Sequence, residues 1–442
     1  MKYSQFNSII PFDNSFYLYN SYTQKFIIIA PLLKDLLEAS IMEGIDGLEE
    51  IHPDFYKYLK SEEFLVPNNV DEVEKIRKIV KTVDENNSSF LLTINPTMNC
   101  NFKCWYCYET HIKKSSFSDS MIDKVSKFIE KTAQKPAMNF FNLSFFGGEP
   151  LLYFKRDVVP VIQKLQKECV ENSVDYAVSF TTNGYLVDDY FINFFKSHGI
   201  APALQITLDG YGKKHDAVRY VTKTKGSYVE IVSNIKLLLN NSFPVRLRIN
   251  YTKDNIEDAY KISDEFDDID MEIKNDFLLV DFHRVWQDSD GEDIPMIVDQ
   301  NLEYMKSKGL TVKHNSPNNV VESCYADKRN SAVINYNGDI YKCTARDFTT
   351  ANRAGYLTNE GDLIWENNYL ERRMEVKFKN KPCLTCRLMP ICNGGCSQHA
   401  MEALEEGGRG EYCIYEGDEK IKDDVVKSKI EEIIETLELN EA

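Results

Sequence analysis

Three closely spaced cysteines are the first feature of this 442-residue chain that could do chemistry. Cys100, Cys104 and Cys107 lie in the segment MNCNFKCWYCYE with the spacing C-x3-C-x2-C. In a chain without an export signal, such clustered thiols are typical of metal ligands or catalytic groups rather than disulfides. A [4Fe–4S] cluster has four irons, so three cysteine ligands would leave one iron open to a small molecule, and the spacing differs from the four-cysteine runs of ferredoxins. A zinc site or a set of reactive thiols is the alternative.

A second set of cysteines lies late in the chain, and it consists of Cys324, Cys343, Cys383, Cys386, Cys392, Cys396 and Cys413. The segment CLTCRLMPICNGGC alone could be a zinc ribbon, but seven cysteines are hard to divide among tetrahedral zinc sites. Because this region has little apolar periodicity, we expect it to fold around metal. Cys169 stands alone in an amphipathic stretch and is predicted to be a buried, inert thiol.

Alternating strand and helix patterns between residues 89 and 310 must position the first cysteine set. The β-rich runs are FLLTI, FNLSFF, YAVSFTT, ALQITL, VRLRINY and FLLVDFHRV, and helical stretches such as DSMIDKVSKFIEKT lie between them. Such units build a parallel sheet covered by helices, and active sites gather at its carboxyl edge. Six units are too few for a full eight-fold barrel, so we predict an α/β fold with a partial (β/α)6 TIM-like barrel. An open sheet is the alternative.

Two further regions flank this alternation. Residues 1–85 are predicted to form a winged-helix-like module. The segment FYLYNSYTQKFIII reads as a hairpin, and three helical stretches follow it: PLLKDLLEASIM, PDFYKYLKSEEF and VDEVEKIRKIVKTV. Residues 418–442 are predicted to form a charged amphipathic helix. The predicted domains are therefore residues 1–85, 89–310, 320–417 and the terminal helix.

Charge and hydropathy exclude some classes of function. The formal net charge is −17, which argues against a nucleic-acid partner. The N-terminus lacks the apolar core of a signal peptide, and the longest apolar stretch, FIIIAPLL, is too short to span a bilayer. We therefore expect a cytoplasmic protein with no membrane partner.

The cysteine loop and the segments after the next strands resemble those of radical S-adenosylmethionine (SAM) enzymes. That superfamily carries C-x3-C-x2-C with an aromatic residue before the last cysteine, here Tyr106, and a GGEP-like turn after the second strand, here FFGGEP. The resemblance implies that one [4Fe–4S] cluster chelates SAM, whose reductive cleavage yields a 5′-deoxyadenosyl radical that abstracts hydrogen from a substrate. It also implies a low-potential electron donor of the flavodoxin or ferredoxin type.

The resemblance also implies SAM-binding residues. The turn would bind the amino group of the methionine half, Thr181 and Asn183 would lie near the ribose, Thr207 would line the site, and Arg219 would pair with the carboxylate. The implied cofactor-binding residues are Tyr106, Gly147, Gly148, Glu149, Pro150, Thr181, Asn183, Thr207 and Arg219.

The late cysteine pattern, C-x13-G-x4-C followed by C-x2-C-x5-C-x3-C and a last cysteine, resembles the SPASM domain, which holds two auxiliary [4Fe–4S] clusters. By the usual division of that family, Cys383, Cys386, Cys392 and Cys413 would bind the outer cluster, and Cys324, Cys343 and Cys396 the inner one. The preceding stretch HNSPNNVVES has no cysteine, so the inner cluster would keep an open iron or take a ligand such as His314. The resemblance thus implies three [4Fe–4S] clusters and a C-terminal iron–sulfur SPASM domain.

The expected function is maturation of a ribosomally made precursor peptide by a thioether or carbon–carbon crosslink. The N-terminal module resembles the element by which such enzymes recognise a leader peptide, through a strand added to an exposed edge. Asp209 and Asp347 are the predicted catalytic proton acceptors, and His283 is a further candidate. The alternatives are a sulfatase-type maturase that forms formylglycine and a non-catalytic iron–sulfur scaffold that binds a peptide. Sulfatase maturases place an aspartate directly after the cysteine of G-x4-C, where this chain has Thr344.

Overall fold

The computed structural model of the protein describes residues 1–288, 294–314, 319–320, 322–405, 407 and 410–441. Much of the stretch HNSPNNVVES therefore lies outside the described residues. The chain divides into two compact units, one made of Met1–Asn86, Ser316–Arg329 and Asn368–Ala442, the other of Asn87–Asn315 and Asn330–Asn367. This division separates residues 330–367 from the rest of the predicted SPASM region, and the predicted domain roles stay predictions.

The first 86 residues combine a two-stranded and a three-stranded antiparallel sheet with four helices. The strands are β1 (Lys2–Tyr3), β2 (Asn7–Phe12), β3 (Ser15–Asn20), β4 (Lys25–Ile29) and β5 (Leu65–Val66), and the helices are α1 (Pro31–Glu43), α2 (Leu48–Ile51), α3 (Pro53–Ser61) and α4 (Glu72–Asp84). The predicted hairpin is confirmed as β3–β4, and the three predicted helices are α1, α3 and α4. The sequence analysis missed β2, which contains Pro11 and lies at an edge of the sheet.

The second unit contains an eleven-stranded sheet and a small ribbon. Its strands are β6 (Ser89–Asn95), β7 (Phe140–Phe145), β8 (Asp175–Thr182), β9 (Ala203–Leu208), β10 (Tyr220–Thr222), β11 (Lys225–Gly226), β12 (Val245–Tyr251), β13 (Leu278–Arg284), β14 (Thr311–His314), β15 (Ser331–Asn335), β16 (Asp339–Tyr341), β17 (Gly355–Leu357) and β18 (Leu363–Trp365). The helices are α5 (Asp119–Ala133), α6 (Val159–Glu171), α7 (Asp189–His198), α8 (Lys213–Val218), α9 (Tyr228–Leu239), α10 (Met271–Phe277) and α11 (Ile294–Ser307).

The strand order of this sheet confirms the predicted α/β class with a parallel sheet. It runs β14-β13-β12-β9-β8-β7-β6-β15-β16-β17-β18, and every neighbouring pair from β14 to β15 is parallel. From β6 to β14 the spatial order follows the chain order, so the units wind in one direction, as in a barrel, without the reversal of a doubly wound sheet. All six predicted strands are present. The prediction missed β14 and β15.

The parallel strands have one apolar face and one polar face. Along β8, Val178, Phe180 and Thr182 are buried, while Ser179 and Thr181 between them are partly exposed. The apolar faces of the strands and the covering helices form one continuous core. The polar face is therefore left available to line a site at the carboxyl edge.

The remainder of the first unit is helical. Its helices are α12 (Tyr369–Val376), α13 (Met389–Cys392), α14 (Ser397–Glu405) and α15 (Glu419–Glu441), and α15 is the predicted terminal helix. Val426 and Ile430 of α15 share one core with Phe6, Ile10 and Tyr19 of the N-terminal sheet. Since Cys383, Cys386 and Cys392 pack against the same core, the late cysteine loops and the N-terminal sheet are parts of one folded body. Among the described residues, no helix is long and apolar enough to cross a bilayer.

Candidate functional site

The first cysteine set lies on the loop between β6 and α5. The base of the loop is closed by Ser115, whose carbonyl oxygen accepts from Thr97 Oγ1 at 2.6 Å and whose Oγ accepts from the Met98 amide at 2.9 Å. The Ile112 amide also donates to the Met98 carbonyl oxygen at 2.9 Å. These bonds hold the cysteines at the carboxyl edge of the sheet, as predicted.

The structure brings the three thiols together. Cys100 and Cys104 are partly buried and Cys107 is exposed. Burial, together with the charges of Glu149 and Cys104, raises the pKa of the Cys100 thiol to about 12, and burial raises that of Cys107 to about 11 with a further contribution from the charge of Cys104. Thiolates this close and this desolvated need compensating positive charge, which the irons of a cluster would supply.

The three cysteines could hold a metal cluster. Among the described residues, no three His, Cys, Asp or Glu side chains converge on one metal position. Three thiolates on one loop are a donor set that fits a [4Fe–4S] cluster, which would keep one open iron.

The turn after β7 packs directly against the cysteine loop. The Glu149 amide donates to the Asn99 carbonyl oxygen at 2.9 Å. Gly147 and Gly148 both have positive φ angles, 77° and 51°. A Cβ on Gly147 would lie 2.6 Å from the Asn95 side chain, and a Cβ on Gly148 would overlap the Asn99 carbonyl oxygen. Only glycine permits this close approach, so the two glycines make the turn a cradle beside the cysteines. Pro150 follows and begins the buried turn Pro150–Tyr153.

Glu149 ties this turn to the end of β8. Its side chain is fully buried and accepts three hydrogen bonds, from Thr182 Oγ1 at 2.7 Å, the Asn183 amide at 2.8 Å and the Leu151 amide at 2.9 Å. Burial raises the pKa of Glu149, and the three donors partly oppose that rise. Asn183 in turn donates from Nδ2 to Asn101 Oδ1 at 2.7 Å, which joins this strand end to the cysteine loop.

Tyr106, Asp209 and Arg219 form a buried network behind the loop. The Tyr106 hydroxyl donates to Asp209 and accepts from Arg219 Nη2 at 2.8 Å and from Asn250 Nδ2 at 3.0 Å. Arg219 also pairs through Nε with Asp209. Burial opposes the charge of Arg219, but the neighbouring Asp209 holds the pKa of Arg219 well above its ordinary value. Arg219 and Asp209 are thus partners of each other, and the cofactor-carboxylate role of Arg219 and the proton-transfer role of Asp209 stay predictions.

A buried histidine holds Asp209 in place. The Asp209 amide donates to His215 Nδ1 at 3.1 Å, so the ring proton is on Nε2, which donates to Ser227 Oγ at 3.0 Å. The Ser227 hydroxyl donates to the Arg219 carbonyl oxygen at 2.8 Å. Burial and the charge of Arg219 lower the pKa of His215 to about 3, so it is neutral.

The other predicted site residues line the polar face of the sheet. Thr181 is in register with Gln205, and Thr207 with Arg248. His283 Nε2 lies 3.2 Å from Asp281 Oδ2. A cavity of about 630 Å³ opens along this face beside the first residues of β9, β12, β13 and β14, and its polar lining includes Asn142, Ser179, Thr181, Gln205 and Arg246. A volume of this size suits a peptide side chain or a small molecule.

Asp347 does not stand free. Its Oδ1 accepts from the Thr110 amide at 2.8 Å and its Oδ2 from Thr110 Oγ1 at 2.6 Å. Tyr108 of the same loop donates to the Thr344 carbonyl oxygen at 2.7 Å. Both oxygens of Asp347 are thus bonded to Thr110 of the cysteine loop, and the proton-acceptor role of Asp347 stays a prediction.

The sequence analysis missed several residues at the site. Glu109 accepts from the Gly148 amide at 2.7 Å, and burial raises the pKa of Glu109 to about 7. Glu109 could have been predicted as a site residue from the sequence, because it lies two residues after Cys107. Asn250 and His215 gave no such signal, because their contacts with Tyr106 and Asp209 depend on the winding of the sheet.

The late cysteines lie partly together in the first unit. Burial, followed by the charges of Cys392, Cys386 and Cys413, raises the pKa of the Cys383 thiol to about 12, so these four thiols are neighbours. They are the four assigned to the outer cluster. The Cys396 amide donates to the Tyr412 hydroxyl at 3.2 Å, while Cys343 belongs to the second unit, where the Ala345 amide donates to its Sγ at 3.3 Å. His314 Nε2 lies 3.1 Å from the Tyr251 hydroxyl.

Known proteins resemble the chain in sequence and in fold. A cysteine-type anaerobic sulfatase-maturating enzyme from Clostridium novyi is 27 % identical over 186 residues, which are 39 % of this chain and 47 % of that protein. The match thus spans about half the length of that curated relative.

Two solved structures share the fold. A structure described as native anSMEcpe with bound AdoMet is 18 % identical, with a TM-score of 0.52 over 72 % of this chain and 97 % of that one. Streptococcus suis SuiB bound to S-adenosylmethionine is 17 % identical, with a TM-score of 0.53 over 93 % of this chain and 98 % of that one.

The family comparison concerns the part of the chain that bears the site. Residues 94–265 match the model of the radical SAM superfamily. That range begins in β6 and contains the cysteine loop, the glycine turn, Asp209 and Arg219. A domain of this kind implies a [4Fe–4S] cluster, which the donor set fits. Residues 94–265 of the chain are therefore a radical SAM domain.

Proposed function

We propose that this chain is a radical SAM peptide maturase that abstracts hydrogen from a ribosomally made precursor peptide and forms a thioether or carbon–carbon crosslink. The observation that carries the proposal is the packing of the C-x3-C-x2-C loop against the glycine turn at the carboxyl edge of the sheet. In this proposal the bound cluster and SAM supply the reductive cleavage that yields the 5′-deoxyadenosyl radical. The remaining tasks fall to the residues of this chain.

These residues would bind and orient the cofactor. Cys100, Cys104 and Cys107 would hold the cluster, and Gly147 and Gly148 would let the backbone approach SAM. Buried Glu149 keeps that turn rigid through its three hydrogen bonds. Thr181, Asn183 and Thr207 would lie along the adenosine. Arg219 can act on the SAM carboxylate only while it also pairs with Asp209, so we assign Asp209 the role of orienting Arg219.

The polar face of the sheet would receive the segment of the peptide that is modified. It offers hydrogen-bonding groups from Asn142, Ser179 and Gln205 around a cavity of about 630 Å³. His283, paired with Asp281, is the remaining candidate for a proton acceptor on this face. The apolar packing of the other face excludes water from the sheet and keeps the lining residues in fixed positions.

The N-terminal module would capture the leader of the precursor. Strand β4 pairs with β3 alone among the described strands, so its other edge can accept an added strand. Ile28 on β4 is 56 % exposed, which offers an apolar contact to a leader. The fold likeness to SuiB covers 93 % of the chain. The part of the chain that is not matched is shorter than the 86-residue module, so the match includes at least part of this module. SuiB has been solved with its precursor peptide SuiA, which supports a similar use of this module.

Auxiliary clusters belong to the same proposal. Cys383, Cys386, Cys392 and Cys413 would hold the outer one, and their proximity supports this assignment. The inner set of Cys324, Cys343 and Cys396 rests on the resemblance to SPASM domains. The auxiliary clusters would accept the second electron as the crosslink closes.

A sulfatase-type maturase is the second candidate, and sequence likeness favours it. The Clostridium novyi relative is named a sulfatase-maturating enzyme, and so is a Klebsiella aerogenes protein that is 22 % identical over 71 % of this chain. Against this, Thr344 occupies the position after Cys343, and both oxygens of the nearby Asp347 are bonded to Thr110. We therefore rank crosslink formation first.

Mass spectrometry of a precursor peptide co-expressed with the chain tests the proposal. Crosslinking predicts the loss of two hydrogens per bond and no reactive aldehyde, whereas formylglycine would be trapped by a hydrazine reagent. Ile28→Glu is expected to weaken leader binding by about tenfold. Val229→Glu, at a position on α9 that is 80 % exposed, is the matched control. A peptide that carries an aldehyde, or one that is unmodified by an enzyme that cleaves SAM, would contradict the crosslinking assignment.

A further inference from the structure

The outer side of the cysteine loop is basic although the chain as a whole is acidic. The net charge of the chain is −17, yet Lys103, Lys113 and Lys114 are all exposed on this one loop. Within the described part of the chain, none of these lysines forms an ion pair or a side-chain hydrogen bond. Their charges are therefore available to an external partner.

The two carboxylates that bind to this loop, Glu109 and Asp347, are both engaged in hydrogen bonds. Glu109 points inward and accepts from the Gly148 amide at 2.7 Å. Asp347 is held by both donors of Thr110. The solvent side of the loop therefore presents lysine charge without an exposed carboxylate from residues 103–114.

The basic charge borders the most accessible cysteine. Cys107 is exposed, unlike Cys100 and Cys104, and its Sγ lies 3.6 Å from His111 Nε2. Lys103 directly precedes Cys104 in the sequence, so its charge lies on the same stretch of the loop as the cysteine set.

Exposed apolar side chains accompany the lysines. Trp105 is 58 % exposed and Ile112 is 40 % exposed. A small apolar centre within a ring of charge is the usual character of a transient protein interface, and redox encounters lie at the small end of interface sizes. We name Lys103, Trp105, Ile112, Lys113 and Lys114 the basic loop face.

We propose that the basic loop face is the docking surface for an acidic, low-potential one-electron carrier protein. The inference rests on the proposed function, because that function requires an electron for each SAM cleaved. The carrier, with its flavin as the anionic hydroquinone, would give up one electron and become the neutral semiquinone. The electron would enter beside Cys107, and the cluster that this loop would hold would accept it.

Charge complementarity selects this occupant. Interfacial lysines attract an acidic partner over a Debye length and raise the rate of encounter, and this attraction is weakened by salt. Electron transfer slows with distance, and Cys107 is exposed whereas Cys100 and Cys104 are partly buried, so a donor docked beside Cys107 would have a short path to the cluster. An acidic peptide substrate would be drawn by the same charge, so the experiment must distinguish the two.

The test compares two triple charge reversals with the same change in net charge. The first is Lys103→Glu, Lys113→Glu and Lys114→Glu on the basic loop face. The control is Lys124→Glu, Lys135→Glu and Lys167→Glu on or beside the outer helices α5 and α6. A double variant changes only Lys113→Glu and Lys114→Glu, which lie farther from the cysteines in the sequence. It keeps the test decisive if the triple variant fails to load its cluster.

Binding of purified flavodoxin by fluorescence titration is the first measurement. We expect the loop variants to raise the Kd by about tenfold at low salt and to flatten its salt dependence, while the control matches wild type. An unchanged Kd in the loop variants overturns the proposal. Weaker binding of the precursor peptide without a change in flavodoxin binding would assign the face to the peptide, and it too overturns the proposal.

Release of 5′-deoxyadenosine is the second measurement, with reduced flavodoxin or with dithionite as the reductant. The loop variants should lose about tenfold in rate with flavodoxin and keep the wild-type rate with dithionite. Equal loss with both reductants in the double variant would overturn the docking role. If wild type forms no 5′-deoxyadenosine with dithionite, the proposed function fails, and the titration still decides the docking surface.

Discussion

The site is built from buried charged and polar side chains, each of which has specific partners. Glu149 is satisfied by three donors, Asp209 by Tyr106 and Arg219, and His215 by one donor and one acceptor. Unpaired, any of them would cost several kcal/mol in the core, about 3–5 kcal/mol for a charge that loses its partner. The pairing therefore fixes the side chains that face the cofactor region.

His215 gives the chain a specific pH dependence of stability. Its pKa in the folded state, about 3, is below the value near 6.5 expected in the unfolded chain. A group with a lowered pKa favours the neutral form on folding, so its contribution is present above pH 6.5 and is lost as the pH falls toward 3. Between pH 7 and pH 5 this amounts to about 2 kcal/mol.

The variant His215→Asn keeps an acceptor for the Asp209 amide but does not titrate. We expect the free energy of unfolding of wild type, measured relative to this variant, to fall by about 2 kcal/mol from pH 7 to pH 5 in urea titrations. Parallel pH profiles of the two proteins would show that His215 is not buried in the neutral form.

At the scale of elements, the glycine turn after β7 requires glycine for two separate reasons. Gly148 has a φ of 51°, and a Cβ there would overlap the Asn99 carbonyl oxygen. Gly199, at the end of α7, has a φ of 65° but nothing within 4 Å of a Cβ. The pair separates the cost of the backbone conformation from the cost of the close approach.

Alanine substitutions at these two glycines provide the test. Gly199→Ala should lower the free energy of unfolding by about 1 kcal/mol, the usual cost of a left-handed residue with a Cβ. Gly148→Ala should cost at least about 2 kcal/mol more, because the turn must move away from the cysteine loop. Similar losses in the two variants, measured by denaturant unfolding, would mean that the turn does not press on the loop.

The strand ends were predictable from the sequence, and the pairs between them were not. Cys100, Glu149, Asn183 and Asp209 all follow apolar β-rich runs, and parallel strands bring their carboxyl ends to one edge. The pairing of Arg219 with Asp209 depends on α8 and β10. Both elements are too short to be predicted from periodicity. Strand β15 (Ser331–Asn335) was missed because nothing local indicates that it pairs with β6, far earlier in the chain.

At the scale of the whole molecule, the first cysteine set and the four cysteines assigned to the outer cluster lie in different units. Cys383, Cys386 and Cys392 pack against the core that contains the N-terminal sheet and α15, whereas Cys104 lies in the second unit. Because metal binding at such sites is coupled to folding, loss of each cluster should loosen only its own unit.

Hydrogen exchange on the reconstituted protein tests this separation. Cys386→Ala should speed exchange by about tenfold in β2, β3 and α15 and leave β6 to β9 unchanged. Cys104→Ala should affect residues 96–118 and leave β2 and β3 unchanged. Protection of β2, β3 and α15 that is the same in Cys386→Ala and wild type would show that the late cysteines are not part of the support of the N-terminal module.

The central claim is that the loop of Cys100, Cys104 and Cys107 holds an iron–sulfur cluster that permits SAM cleavage. The most direct measurement is the yield of 5′-deoxyadenosine from anaerobically reconstituted protein with SAM and dithionite, with iron and labile sulfide determined on the same samples. We expect product from wild type and a loss of about 100-fold or more in Cys104→Ala. Equal yields from the two proteins, or wild-type protein that holds zinc and no labile sulfide, would contradict it.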